Sequence, residues 1–149
     1  MASRYDLIVR NGTVIDGTGG PPYGPVDIYI SGNKIQSIRS AGTPGLPMRA
    51  APTQGVDKVI DATGMYVTPG FIDMHSHSDF VLFEDGDAQS KIRQGVTTDV
   101  LGEGNSPGPF ENQLSPRVVT IKGEKVELKA MRDYFDAIDR SGVSINVAS

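Results

Sequence analysis

The sequence predicts an α/β protein: a small all-β unit over residues 1–67, then, over residues 68–149, the opening of a parallel sheet whose strands alternate with helices. Three observations predict it. Before residue 68 the apolar residues come in short runs broken by turn residues, as in strands with one buried face. After residue 68, strand-like runs are separated by helical patterns, and parallel strands need such crossovers. The change of period between the two stretches places a domain boundary near residue 68.

Within the first unit, residues 6–9 and 13–16 flank Asn11-Gly12, a strong hairpin signal. Residues 27–30 and 34–38 form a second such pair around Ser31-Gly32-Asn33. Residues 41–55, rich in Pro, Gly and Ala, predict a surface loop. A strand over residues 58–61 then meets a turn at Ala62-Thr63-Gly64 and continues through Met65-Tyr66-Val67.

The second unit opens with a strand leading into Pro69-Gly70-Phe71-Ile72-Asp73-Met74-His75-Ser76-His77. A short helix is expected over residues 88–94, stopped by Gly95, and a β-branched strand over residues 96–101. The Gly- and Pro-rich stretch 102–109 excludes regular structure. Residues 117–128 alternate around Lys122-Gly123-Glu124 and predict an inserted hairpin. A helix over residues 127–140 presents Leu128, Met131, Phe135 and Ile138 as one apolar stripe, with Lys129–Asp133, Arg132–Asp136 and Asp136–Arg140 as outer pairs. Ser141-Gly142 ends it, and residues 143–147 make a third strand.

Composition narrows the chemistry. The net charge of −4 and the lack of clustered Lys and Arg argue against a nucleic-acid surface. No apolar run reaches the ~18 residues of a membrane helix, and the N-terminus lacks the core of a signal peptide, so a cytoplasmic protein is expected. With no cysteine, metal ligands must come from His, Asp and Glu. His75 and His77 are the only two histidines. At the end of the strand that leads into them, their side chains are expected to share a face, roughly 6.6 Å apart along the chain and close enough to bind one ion.

The order of Val59-Ile60-Asp61-Ala62-Thr63-Gly64, Thr68-Pro69-Gly70-Phe71-Ile72-Asp73, His75-Ser76-His77 and Arg93-Gln94-Gly95-Val96-Thr97-Thr98 resembles the amidohydrolase superfamily. Ile92 to Thr98, followed by Gly102 and a Ser-Pro loop, is most similar to its D-aminoacylase (N-acyl-D-amino-acid deacylase) branch. The resemblance implies a metal-dependent (β/α)8 TIM barrel with a small β-sandwich built from both chain ends. A complete barrel takes about 250 residues, so residues 69–149 hold only its first strands. The resemblance therefore implies an N-terminal fragment, inactive alone and exposing unpaired barrel edges. The family's later histidines and its catalytic aspartate are expected beyond residue 149, so no catalytic residue is assigned here.

On that resemblance His75 and His77 bind Zn2+, or another divalent ion, at the C-terminal end of the first barrel strand. Zinc there polarises a scissile carbonyl and lowers the pKa of a water it binds toward ~7. Asp73 is read either as a carboxylate bonded to an imidazole or as a buried acid tied to a basic partner from another strand. Asp79 is read as facing the substrate mouth or as a turn cap. The branch carries a cysteine ligand where this sequence has Gly104, so Glu103 beside it is either a replacement ligand or a solvated loop residue. Ser106, like Asn105, touches substrate or serves its turn. The implied substrate is a small molecule with a linear amide, as in N-acyl-D-amino acids. The alternatives are a cyclic amide, as for dihydroorotase or hydantoinase, and a barrel without catalysis that serves as an assembly partner. The oligomeric state is not indicated.

Overall fold

A computed structural model describes residues 5–40, 44–48, 56–104, 106–108 and 115–149. The chain divides into two compact units, Met1–Pro69 and Gly70–Ser149.

In the first unit β1 (Tyr5–Val14) is the spine of a five-stranded mixed sheet. It pairs antiparallel with β2 (Tyr23–Ser31), which pairs antiparallel with β3 (Lys34–Ser40) through the tight turn at Gly32-Asn33. On its other edge β1 pairs in parallel with β4 (Val56–Asp61) and, further along, with β5 (Tyr66–Val67). Val14, Val26 and Ile28 form the buried core of this sheet. Among the described residues it is a single sheet, not two facing sheets. Part of the predicted 41–55 loop lies outside the described residues; its Met48 forms an isolated bridge to Ser40.

Asn11-Gly12 is not a hairpin turn. The strand runs straight through it, with a register shift against β2 between Val9 and Gly12. Asn11 takes φ 60°, and its amide N–H and side chain donate to Asp27 and Asp61. Bulges and tight hairpins both call for a left-handed residue, so the dipeptide signals either. A Cβ at Gly12 would fall 2.5 Å from Val67, which is why the next residue is glycine.

In the second unit a three-stranded parallel sheet has the order β10-β7-β6, with β6 at Phe71–Asp73, β7 at Val96–Val100 and β10 at Asn146–Ala148. A 3-10 turn at Val81–Phe83 and helix α1 (Gln89–Ile92) connect β6 to β7, and Gly95 ends the helical stretch at φ 81°. The predicted excursion is present as an antiparallel pair, β8 (Arg117–Ile121) and β9 (Glu124–Leu128). Helix α2 (Met131–Ser141) follows and leads to β10.

Helix α2 starts four residues later than its apolar spacing predicts. Residues 124–128 are drawn into β9, so Leu128 is fully buried as a strand residue opposite Arg117. The helix buries Ile138, as the stripe predicts, together with Tyr134 and Ala137, and Phe135 of the stripe packs against the same core. Asp133 does not pair along the helix with the Lys129 ammonium; it accepts the backbone N–H groups of Lys129 (2.9 Å) and Ala130 (2.8 Å). These bonds satisfy donors just before the first turn and hold the Asp133 carboxyl below the usual carboxylate range. Lys129 pairs with Glu127, and Arg140 with Glu124. Tyr134 is the centre of the core, edge-on to Phe80, Phe83 and Phe135. Among the described residues no helix is long and apolar enough to cross a membrane.

Candidate metal centre

The candidate site lies where β6 and β7 end, side by side. Strand β6 stops at Asp73, two residues before the first histidine, so the His pair does not sit in a strand. The shared face arises another way. Asp73 Oδ1 accepts the His75 N–H at 3.1 Å, and the Ser76 N–H reaches the Val100 carbonyl at 3.2 Å. Ser76 turns inward and is 2% exposed, while the imidazoles on either side turn outward with ring centroids 5.1 Å apart.

Glu103, three residues past the end of β7, completes the group. Its Oε2 lies 3.2 Å from His75 Nε2 and 3.7 Å from His77 Nε2. One ligand atom from each residue falls within 4.8 Å of the others. Tetrahedral ligands held ~2.1 Å from zinc stand about 3.4 Å apart, so the two measured separations bracket that spacing. Two imidazole nitrogens and a carboxylate oxygen form a donor set that zinc accepts. All three side chains are more than half exposed, so no burial opposes entry of an ion. A Cβ added to Gly104 would fall 2.7 Å from His77 Nδ1, so this position too faces the cluster.

The remaining candidates have other partners. Asp73 bonds no imidazole; its Oδ2 takes the Lys91 ammonium at 2.5 Å, so its basic partner comes from helix α1 rather than from another strand, and the acid is half-buried rather than buried. That bond, with the His75 N–H, lowers its pKa. Asp79 is held inside rather than at the surface. It is 3% exposed and its Oδ1 accepts the Gly102 N–H at 3.1 Å, tying the segment after His77 to the loop that carries Glu103. Its carbonyl takes the Tyr134 hydroxyl at 2.6 Å, and burial, with the Asp79 and Asp99 charges, raises the Tyr134 pKa. The Ser106 hydroxyl bonds Gly108 O and N within its own loop, as a turn residue does. Asn105 lies outside the described residues.

Sequence reasoning missed Lys91, Asp99 and Ser76, which form a polar cluster behind the histidines. Asp99, fully buried, takes the Ser76 hydroxyl at 2.9 Å and faces Lys91 at 3.4 Å. Burial opposes the charge on Lys91, but the Asp73 bond and the two carboxylates outweigh it and raise its pKa. A cation in the connecting helix between two strand-end aspartates was the available signal.

Two outward imidazoles beside a carboxylate at the C-terminal ends of parallel strands form a donor set that could hold a divalent ion. Comparison with known proteins supplies the family. The amidohydrolase family model matches residues 58–139, and the chain belongs to that family. It is 33% identical to the N-acyl-D-glutamate deacylase of Alcaligenes xylosoxydans xylosoxydans, covering 100% of this chain and 29% of that protein. Among solved structures it is similar to N-acyl-D-glutamate deacylase from Bordetella bronchiseptica complexed with zinc and a phosphonate inhibitor. There the TM-score is 0.72 at 31% identity, over 97% of this chain and 29% of that one. A D-aminoacylase crystal structure matches with TM-score 0.71 and 29% identity, over 96% and 28%. The chain thus spans under a third of the length of these relatives.

Proposed function

We propose that this chain supplies the first strands of a metal-dependent (β/α)8 barrel hydrolase that cleaves the linear amide of N-acyl-D-amino acids. His75 and His77 hold a zinc ion, with Glu103 as the third ligand in place of the family's cysteine. The observation that carries the reading is the approach of both Nε2 atoms to one Glu103 oxygen, at 3.2 and 3.7 Å. The deacylase relatives support the substrate class, and the zinc in one of them supports the metal. Zinc bound there supplies Lewis acidity toward the amide carbonyl. The residues of this chain bind and orient. Glu103 brings a negative charge that favours a dication, Asp73 fixes the His75 backbone, and Asp79 holds the Glu103 loop in place.

The test is hydrolysis by the complete protein, offered N-acetyl-D-glutamate, its L-enantiomer and a cyclic amide such as dihydroorotate. The expected result is zinc-dependent release of acetate from the D-substrate. Replacing both His75 and His77 by Ala should abolish turnover and zinc binding together. Undiminished turnover in the double variant, or activity on the cyclic amide alone, refutes the proposal.

A further inference from the structure

Behind the three outward donors lies a buried polar cluster that touches no candidate ligand atom, yet it governs where two of the ligands point. Its centre is Ser76, the middle residue of the His-Ser-His run. The Ser76 hydroxyl lies 2.9 Å from Asp99 Oδ2 and 2.9 Å from Ser78 Oγ, and it accepts from Lys91 Nζ at 3.2 Å. Because this residue is held inside, its neighbours on both sides are directed out, and the two rings emerge together.

Lys91 makes that inward anchor tenable. Asp73 and Asp99 are register partners on adjacent parallel strands, so their carboxylates stand close together. Without a cation between them they repel, and Asp99, fully buried, is left with its charge uncompensated. Asp99 Oδ1 makes no hydrogen bond among the described residues and lies 3.4 Å from the Lys91 ammonium. The same ammonium reaches Asp73 at 2.5 Å, and Asp73 holds the His75 N–H. One helical lysine therefore joins the ends of both strands to the turn between the two imidazoles.

We propose that Lys91 is a positioning residue of the metal centre: with Asp99 it clamps the Ser76 hydroxyl and so keeps His75 and His77 convergent. This rests on the zinc reading of the site. The experiment measures Zn2+ affinity by chelator competition, and the visible spectrum of the Co2+-loaded site, for the complete protein and for Lys91→Met and Ser76→Ala, with circular dichroism as the fold control. In folded Lys91→Met the zinc Kd should rise roughly 10- to 100-fold, as when outer partners of metal ligands are lost, and the Co2+ bands should shift. Ser76→Ala removes the clamp without removing a charge and should move both readouts in the same direction. Unchanged affinity and spectrum in Lys91→Met, or in Ser76→Ala should Lys91→Met not fold, overturns the proposal while leaving the zinc site standing. If the unaltered protein binds no zinc, the metal reading falls and the positioning role falls with it.

Discussion

The exits of β6 and β7 both deliver a candidate metal donor to the same place, but they are held differently. After β6 the chain is pinned at three points: the His75 N–H to Asp73, the Ser76 N–H to Val100, and the Ser76 side chain to Asp99 and Lys91. After β7 a single side-chain anchor, from the Gly102 N–H to Asp79, precedes the donor, and Glu103 and Gly104 then stand exposed. The backbone that carries the two rings is thus held by polar contacts, whereas the carboxylate reaches the site on a short loop. A carboxylate as third donor would suit harder metals as well as zinc, and it stands on the less anchored of the two exits.

Removing the carboxylate donor is the most severe way to break this comparison. Glu103→Ala should raise the zinc Kd at least about 100-fold, since losing a ligand outweighs losing an outer partner, while thermal stability stays within about 0.5 kcal/mol because the residue is exposed. Chelator competition and a thermal melt check both halves. An unchanged Kd would return Glu103 to the role of a solvated loop residue.

The anchor of that loop comes next. Asp79→Ala leaves the Gly102 N–H without its acceptor in a part-buried setting, which costs about 1–3 kcal/mol. By freeing the Glu103 loop it should also weaken zinc roughly tenfold or more. Asp79→Asn keeps an acceptor oxygen and should retain most of the affinity, so the pair of variants separates loop placement from charge. Equal losses in both would show that the carboxylate charge, not the bond to Gly102, is what matters.

A smaller change sharpens the other side. Gly104→Ala puts a methyl group 2.7 Å from His77, whose ring is free to swing because its side chain is 57% exposed. Folding should hardly notice. The displaced ring should cost severalfold in zinc affinity, at or below the lower end of outer-partner effects of about tenfold, and a Co2+ spectrum would show the altered geometry. Affinity equal to that of the unaltered protein would mean the ring tolerates displacement.

These contrasts also show what could be read from the sequence. The grouping of the two imidazoles with Glu103 was legible from residue types and the surrounding motif. The reason the rings converge was not. Strand alternation was the expected cause, but β6 ends at Asp73 and the convergence follows from Ser76 bonding a residue on β7 and another on α1. Contacts between residues fifteen and more positions apart leave no period in the sequence. The β8–β9 hairpin and the β6, β7, β10 order followed from local alternation, while the start of α2 did not. Leu128 fits an apolar helix spacing and a strand position equally well, and pairing with Arg117 decided between them. Asn11-Gly12 failed for the opposite reason, since its left-handed backbone is local but serves a bulge as readily as a turn.

The smallest effect on the site is expected at Asp133, far along the chain from both exits. Its carboxylate accepts two backbone N–H groups ahead of α2, so its pKa is lowered on folding, first by the Ala130 bond and then by the Lys129 bond. A lowered folded-state pKa means that the unfolded chain binds the proton more readily. The contribution of this group to stability is therefore complete above the ordinary aspartate value of about 3.9 and is lost as pH falls from there through the lowered folded value. Asp133→Asn should remove this share of the acid sensitivity, giving a flatter dependence of the melting temperature on pH below about 4. Zinc affinity at neutral pH should not change, because the bonds it perturbs belong to the start of α2 and to neither strand exit. A weakened zinc site in Asp133→Asn would show that α2 controls the Asp79 anchor through Tyr134, and that the β7 exit is less loosely held than its single anchor suggests.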